Sequence, residues 1–291
     1  MTYPQLTVFN FKTSYFVFRI FTLFWLVQQY FFFDKFASRP EIFYEPNLWI
    51  QKLIFPEYPS RIFYISTLVL TGILLMYSLF KQSYVLNVLL FVVIALVNLL
   101  VASNIGMSHS GHLLVLSYFF SIFLLPKNLK SENYKSVQIY YLGLLSTYSL
   151  SGIWKLISCL KDLATNDPSV SWFEKNAARY NSFLNYFIID LKLPAWMQLL
   201  YKFENLWIVI TVFAIFMQAL CFLGAFNRKL LNIFMVFLVC FHFYTEYFVI
   251  AEFWLVKQQI LFLFFPYHLF YSKIKQLFTE KMEEENGLSV Q

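Results

Sequence analysis

The chain alternates between long apolar runs and shorter polar connections, and this pattern predicts the fold class. A helix needs about 20 mostly apolar residues to cross the hydrocarbon core of a bilayer, which is about 30 Å thick. Eight runs meet this requirement, at residues 15–33, 63–80, 84–103, 107–126, 138–160, 205–226, 230–250 and 253–271. The pattern therefore predicts an all-α polytopic membrane protein, a bundle of about eight transmembrane helices.

Two long connections interrupt the series of apolar runs. Residues 34–62 contain four prolines, which disfavour a long helix there. Residues 161–204 contain an aromatic run at 183–189 that is too short to span a bilayer, so we expect it to re-enter the membrane or to lie at its interface. We assign residues 1–272 to one transmembrane domain and residues 273–291 to a polar cytosolic tail.

The lysines and arginines between the runs predict the orientation. If the chain begins inside, the short outer turns at 103–111 and 250–252 contain no basic residue. The first run contains Arg19 and no small-residue cleavage site follows it, so we expect a retained signal anchor. Both termini are predicted to be cytoplasmic, in a bacterial inner membrane. The basic residues then placed inside are Lys12, Lys81, Lys127, Lys130, Lys135, Arg228, Lys229, Lys273, Lys275 and Lys281.

The amino-acid composition limits the classes of partner and of chemistry that are compatible with the chain. Only 13% of the residues are charged and 59% are apolar, whereas a soluble domain carries about 25% charged residues, so lipid must replace the missing polar surface. The net charge of +6 is spread between the runs, which argues against a nucleic-acid patch. Cys159, Cys221 and Cys240 form no C-x-x-C pair, which disfavours disulfide chemistry. The predicted partner is the lipid bilayer.

Ionisable groups within the apolar runs are the candidates for function, because they are costly inside a bilayer. In the predicted orientation all of them except Arg19 lie at or towards the outer side. Five of them, His109, His112, Lys155, His242 and Glu246, are predicted to meet in one outward-facing pocket. The full set is Arg19, His109, His112, Lys155, His242, Glu246, Glu252 and Lys257.

Lys155 is the central candidate. Tyr141, Tyr148, Ser151 and Lys155 follow one another at spacings of seven, three and four, which predicts a single polar stripe on an apolar helix. A lysine deprived of hydration water can act as a base near neutral pH. A lysine one turn inside the interface can also extend to the lipid headgroups, and both interpretations stay open.

The remaining ionisable candidates include two pairs of residues that are close in sequence. His242 and Glu246 lie four residues apart, so a helix brings them to one face, where a carboxylate can fix the tautomer of an imidazole. An interhelix hydrogen bond of purely structural value is equally compatible. His109 and His112 have no evident third ligand, so no metal site is predicted. Arg19 can extend to the inner headgroups and is a further pocket candidate.

Several of these residues belong to short motifs that occur in a recognisable order. Residues 151–156 read Ser-Gly-Ile-Trp-Lys-Leu, 108–110 read Ser-His-Ser, 241–242 read Phe-His, 18–20 read Phe-Arg-Ile, and 193–194 read Leu-Pro before Glu204. Over residues 14–266 this order resembles the vitamin K-dependent γ-carboxylase family and its bacterial HTTM (horizontally transferred transmembrane) relatives. The motifs are short, so their order and spacing carry the resemblance.

The resemblance implies a lumen-facing pocket in which a lysine, here Lys155, deprotonates vitamin K hydroquinone, with His109 and His242 as pocket histidines. In the carboxylases the quinol then reacts with O2, and the product removes a proton from a peptide glutamate, to which CO2 adds. Trp154 stands where the carboxylases have a second lysine. We expect the large lumenal domain of the carboxylases to be absent. We therefore expect a membrane quinol as the candidate cofactor or substrate, but no carboxylation of a protein.

A second branch of the same family, the sporulation-delaying toxin maturation proteins, is similar to the chain in length, helix order and Leu-Pro. This likeness implies a non-enzymatic helper in the maturation or export of a secreted peptide. Two hypotheses stay open: an enzyme that uses a membrane quinol or another lipid-soluble substrate with Lys155 as base, and a helper whose polar cluster binds a peptide.

Overall fold

The computed structural model of the protein describes residues 2–38, 49–105, 109–165, 171–251, 253 and 255–271, with backbone alone at 34–37, 101–105 and 109–110. Within these residues the structure contains helices and no strand. The α-helices are α1 (Tyr3–Ala37), α2 (Trp49–Ile54), α3 (Arg61–Phe80), α4 (Tyr84–Ile105), α5 (His109–Ser121), α6 (Tyr134–Thr165), α7 (Ala177–Ile188), α8 (Ala195–Leu200), α9 (Glu204–Ala219), α10 (Arg228–Phe248) and α11 (Val256–Phe264).

Three of the described helices are long and apolar enough to cross a membrane. They are α1 over Tyr3–Phe33, α3 and α10. Shorter apolar helices occur at Tyr84–Leu100, Gly111–Ser121 and Glu204–Ala219. Within the described residues, an all-helical fold with helices long and apolar enough to cross a membrane is therefore confirmed, whereas the number of eight crossings stays a prediction.

The buried face of α3 includes three hydroxyl side chains, and most of its exposed side chains are apolar. Thr67, Thr71 and Ser78 are buried, while Ile62 is 80% and Phe80 is 84% exposed. Each buried hydroxyl donates to a carbonyl three or four residues earlier on the same helix. A helix in a water-soluble protein shows the opposite distribution. The outer surface of α3 is thus suited to hydrocarbon.

The helices α1 and α6 connect most of the bundle. α1 packs against α3, α6 and α11, while α6 also packs against α5, α9 and the 3-10 turn Cys221–Ala225. α4 packs against α3 and α5, and α10 against α11. A separate, smaller apolar cluster joins α7, α8, α9 and α10 around Tyr186, Met197 and Trp207. This second cluster covers the half of the bundle in which α6 ends.

The backbones of α6 and α9 approach closely at Gly152. A Cβ atom on Gly152 would lie 2.3 Å from the backbone nitrogen of Ala219 and 2.8 Å from its Cα. Less than one turn earlier on α6, the Ser149 hydroxyl accepts a hydrogen bond of 2.9 Å from the backbone N–H of Phe222. Only glycine permits this contact, which sets the distance between the second half of α6 and the end of α9.

The helix α7 covers most of the aromatic run predicted in the second long connection. Its 12 residues extend over about 18 Å, which is too short to cross the hydrocarbon core. It buries Ser182 and Tyr186 and exposes Phe183 and Phe187. A short helix with an exposed aromatic face suits a membrane interface, so the interfacial placement stays a prediction with this feature in its favour.

Some predicted runs form shorter helices than expected. In the run 253–271, α11 ends at Phe264, because Pro266 has no backbone N–H to continue the helical hydrogen bonds. In the run 205–226, α9 ends at Ala219 and the 3-10 turn follows. In the run 107–126, α5 ends at Ser121. The predicted tail, 273–291, and residues 39–48 of the first long connection lie outside the described residues.

Candidate functional site

A cavity of about 610 Å³ lies between α7, α9 and the second halves of α6 and α10. We call it the Lys155 cavity. Its polar groups come from α6, α7, α9 and α10, and most of the remaining wall is aromatic. The polar lining includes Tyr148, Ser151, Lys155, Asn181, Asn185, Gln218 and His242, and the aromatic lining includes Trp172, Trp207, Phe213, Phe237, Phe241, Phe248 and Phe253.

Lys155 is half-buried in the wall of this cavity. Its Nζ donates a hydrogen bond of 2.8 Å to Oε1 of Gln218. The same nitrogen lies 5.4 Å from the ring centroid of Trp172 and 5.5 Å from that of Phe241. Among the residues that the structure describes, Lys155 therefore contacts a neutral amide and two aromatic rings, and no carboxylate.

His242 is held in the same wall by aromatic neighbours. It is 4% exposed, and its Nε2 lies 3.2 Å from the hydroxyl oxygen of Tyr148. Its ring meets Phe253 and Phe241 edge to face, at centroid distances of 5.2 and 5.6 Å. Either the phenol or the imidazole donates in the Tyr148 contact, depending on the tautomer. The packing leaves the imidazole little freedom to turn.

The stripe predicted on α6 divides between two regions. Tyr148, Ser151 and Lys155 line the Lys155 cavity together. Tyr141 is buried in the core instead, with its ring 5.7 Å from the guanidinium carbon of Arg228. Helical spacing thus brings the last three residues to the cavity, while Tyr141 lies too far along the helix axis to reach it.

Glu246 and His112 do not line the Lys155 cavity, although both were predicted to belong to one common pocket. The carboxylate of Glu246 forms an ion pair with the ammonium of Lys257, across the contact between α10 and α11. His112 is half-buried on α5. The described lining of the Lys155 cavity includes none of these three side chains.

Two of the predicted site residues have side chains outside the described part of the structure. The side chain of His109 and the whole of Glu252 are outside the described residues. Of the five groups predicted to converge, the structure therefore brings Lys155 and His242 into one cavity. Their catalytic roles stay a prediction.

Arg19 lies in a separate polar network in the core, and it is not part of the Lys155 cavity. It is 3% exposed, its Nε donates to Oγ of Ser78 at 3.0 Å, and one terminal nitrogen donates to Oδ1 of Asn87 at 2.9 Å. Its guanidinium carbon lies 3.3 Å from the ring centroid of Tyr15. Arg19 therefore joins α1, α3 and α4 and does not extend to the headgroups, because these neighbours hold it inside the bundle.

The neutral amides of the cavity are functional candidates that the sequence argument missed. Gln218 contacts Lys155 directly, and Asn181 and Asn185 come from α7. The pocket candidates in the sequence were ionisable residues and the stripe of Tyr148, Ser151 and Lys155, and no amide was among them. The available signal for Gln218 was a polar amide inside the apolar run 205–226.

No family model, no curated protein and no solved structure matches the chain. The likeness to the carboxylases and their HTTM relatives therefore rests on the short motifs alone and stays a prediction. Within the described residues, no group of three or more His, Cys, Asp or Glu side chains is placed to hold a metal ion. The chemistry of the site has to be argued from Lys155 and its neighbours.

Proposed function

We propose that the chain is a polytopic membrane enzyme that binds a quinol, or a comparable lipid-soluble hydroxyl compound, in the Lys155 cavity and uses Lys155 as its base. The observation that carries this proposal is the contact between Lys155 Nζ and the neutral amide of Gln218, in a cavity wall that includes several aromatic rings. A lysine placed to bind an anion would be expected to lie beside other cations, and a structural lysine beside a carboxylate.

The chemical step is one proton transfer. The O–H bond of the substrate breaks, a third N–H bond forms on the neutral Lys155 amine, and an ammonium ion is left beside the substrate oxyanion. Oε1 of Gln218 accepts a hydrogen bond from Nζ both before and after the transfer. Gln218 can therefore orient the lone pair of Nζ towards the cavity in the first state and hold the ammonium ion in the second.

The aromatic wall suits a planar substrate. Edge-to-face and offset contacts with aromatic side chains stabilise a bound ring beyond simple area burial. The contact between Tyr148 and His242 lies in the same wall and offers a polar group to a second substrate oxygen. An apolar cavity with a few polar groups is the usual form of a small-molecule site.

The proposal includes the orientation that the basic residues predict. Eight crossings with both termini in the cytoplasm would place the Lys155 cavity in the outer half of a bacterial inner membrane. Support comes from the positions of Lys and Arg in the connections and from α6, whose 32 residues exceed the length needed to cross a bilayer.

A helper function in the maturation or export of a secreted peptide is the second candidate. It is favoured by the side-chain amides of Asn181, Asn185 and Gln218, which line the cavity and can pair with a peptide backbone. In this case Lys155 would bind a client carbonyl or carboxylate and no proton would be transferred.

The first experiment compares quinol turnover in three proteins. Wild type, Lys155→Ala and Lys161→Ala are reconstituted into nanodiscs with vitamin K hydroquinone, O2, labelled CO2 and glutamate-containing peptides. Lys161 is an exposed lysine further along α6 and serves as the matched control. Loss of a general base lowers a rate by about 10²–10⁴-fold, so we expect epoxide from wild type and Lys161→Ala and at least about 100-fold less from Lys155→Ala. If folded wild-type protein forms no epoxide, the quinol mechanism is wrong and the helper function becomes the better hypothesis.

A second experiment measures binding without catalysis. Cys240 is exposed and lines the Lys155 cavity, whereas Cys159 and Cys221 are buried, so a maleimide should react first at Cys240. We expect a bound quinol to slow this reaction in wild type, and Cys240→Ala to remove the fast phase. A membrane-impermeant maleimide added to intact cells should reach Cys240 if the cavity faces outwards.

A further inference from the structure

A second cavity, of about 640 Å³, lies at the opposite end of α6 from Lys155. We call it the Arg228 cavity. It is lined by the start of α1, the start of α10 and the segment that follows α11, including Tyr3, Arg228, Lys229, Asn232 and His268. Tyr3 meets Tyr134, the first residue of α6, edge to face at 6.1 Å. The cavity therefore lies at the end of the bundle where α1, α6 and α10 begin.

Arg228 is buried without a full set of partners. It is 7% exposed, and one of its terminal nitrogens donates to the carbonyls of Phe264 and Phe265, at 3.4 and 3.1 Å. Its Nε and its other terminal nitrogen are buried and have no hydrogen-bond partner among the described residues. A buried charged donor left unpaired is costly, and anionic oxygens that accept hydrogen bonds from Nε and from the other terminal nitrogen would remove that cost.

The neighbouring side chains add positive charge and donors. Lys229 is exposed at the cavity. Nδ1 of His268 lies 2.9 Å from the amide nitrogen of Asn10, whose oxygen accepts from the His268 backbone N–H at 3.1 Å. Nδ1 also lies 3.2 Å from the side-chain oxygen of Asn10, so both neutral tautomers fit this contact, and Nε2 donates to a ligand in the tautomer that protonates it. Asn232 has a buried side-chain oxygen without a partner in the described part of the chain, and its amide can be turned to donate as well.

We propose that the Arg228 cavity binds a phosphate anion, carried as the headgroup phosphodiester of an acidic phospholipid. A phosphate group has several anionic oxygens that can accept hydrogen bonds from the unpaired guanidinium donors, and the described lining contains Lys229 and no acidic side chain. This inference goes beyond the proposed function and does not depend on Lys155.

The apolar part of the lining favours a lipid over a free ion. Leu6, Phe226 and Leu269 share the cavity with the basic residues, and Phe226 and Leu269 are exposed at its edge. Both α1 and α10, which begin here, are long and apolar enough to cross a membrane. If both helices cross a membrane, the cavity lies near the surface at which they begin, and basic pockets between transmembrane helices bind acidic headgroups on the cytoplasmic side.

The test measures thermal unfolding of the full chain in nanodiscs of phosphatidylcholine alone or with a minor fraction of phosphatidylglycerol. We expect phosphatidylglycerol to raise the midpoint of wild type by about 2–4 °C, the size of shift that accompanies a modest stabilisation of a chain of this length. Arg228→Gln and Lys229→Gln should lose more than half of that shift, and Arg228→Lys should keep part of it. Lys135→Gln, which removes an exposed charge near the start of α6, should behave as wild type.

The arms of the experiment separate the sources of the phosphate. Inorganic phosphate is titrated into the phosphatidylcholine discs: a shift there, with none from phosphatidylglycerol, would overturn the lipid assignment in favour of a free anion. No shift with either probe would overturn the site. An equal loss in Lys135→Gln and Lys229→Gln would also overturn it, because the effect would then be general surface charge. Lys229→Gln keeps the Arg228 bonds to Phe264 and Phe265, so it reports on the site even if Arg228→Gln does not fold.

Discussion

Gly152 is the position where one added methyl group tests the construction of the Lys155 cavity. In Gly152→Ala the new Cβ would lie 2.3 Å from the backbone nitrogen of Ala219 and 2.8 Å from its Cα, whereas ordinary contacts to carbon are about 3.5–4.0 Å. Backbone atoms cannot rotate away as a side chain can. The end of α9 therefore has to move away from α6 by about 1 Å or more.

The expected change in the free energy of unfolding is the sum of two opposing contributions. Overpacking of this kind costs about 1–3 kcal/mol. Replacing glycine by alanine inside a helix returns about 1 kcal/mol through the smaller loss of backbone entropy. We expect a net loss of up to about 2 kcal/mol. Because Gln218 precedes Ala219, the same displacement should lengthen the 2.8 Å bond from Lys155 Nζ beyond hydrogen-bonding range.

Gly72→Ala is the matched control. Gly72 lies inside α3, and a Cβ built on it meets nothing within 4 Å. This variant should be as stable as wild type or more stable by up to about 1 kcal/mol. Both variants and wild type are unfolded by titration with a denaturing detergent and followed by circular dichroism. Maleimide labelling of Cys240 reports on the cavity in the same samples.

One outcome would refute the reasoning. If Gly152→Ala is stabilised as Gly72→Ala is, with the labelling rate of Cys240 unchanged, α6 and α9 do not approach as described. A destabilised Gly152→Ala with faster or slower labelling of Cys240 would show that the same contact sets both the stability and the shape of the cavity.

Three further predictions follow from other contacts. Tyr148→Phe removes the hydroxyl beside His242 and should cost about 1–3 kcal/mol, seen as a lower thermal midpoint; an unchanged midpoint would show that the contact is not formed. Arg19→Gln should also lower the midpoint, by about 1–3 kcal/mol for each buried partner left unpaired, without changing the labelling rate of Cys240; a changed rate would show that the two regions are coupled. Glu246→Gln and Lys257→Met should show a coupling of only about 0.2–1 kcal/mol in a double-mutant cycle, because both side chains are partly exposed; a coupling several times larger would mean that lipid excludes water from the pair.

The site could be predicted where one helix determines it, and not where two helices meet. Helical spacing alone assigns Tyr148, Ser151 and Lys155 to one face, and the structure has all three in one cavity. The neighbour of His242 could not be found in this way. Spacing suggested Glu246, four residues away, but the structure gives Nε2 of His242 a contact with the hydroxyl of Tyr148, 94 residues earlier in the chain. Contacts between helices depend on packing that spacing does not encode.

The fold, too, could be predicted within single helices but not at the contacts between helices. Apolar runs predict helices because hydrocarbon requires every backbone group to be paired within the segment. A hydropathy profile measures the free energy of transferring side chains into lipid and not the backbone geometry. The apolar run therefore continues through Pro266, although α11 ends at Phe264. The profile also cannot register the close contact at Gly152, which depends on the absence of a side chain.

The inward-facing hydroxyls of α3 have a consequence for biogenesis. Thr67, Thr71 and Ser78 each donate to a carbonyl of their own helix, so none of them needs a neighbouring helix as a hydrogen-bond acceptor. The segment can therefore partition into lipid as an isolated helix with these three hydroxyls already satisfied, while the Tyr64 hydroxyl donates to the carbonyl of Gln29 on α1. Insertion into the membrane and association of the helices can then occur as separate steps. The order of association depends on the shapes of the helices and on the few side chains, such as Arg19, whose hydrogen-bond acceptors lie on other helices.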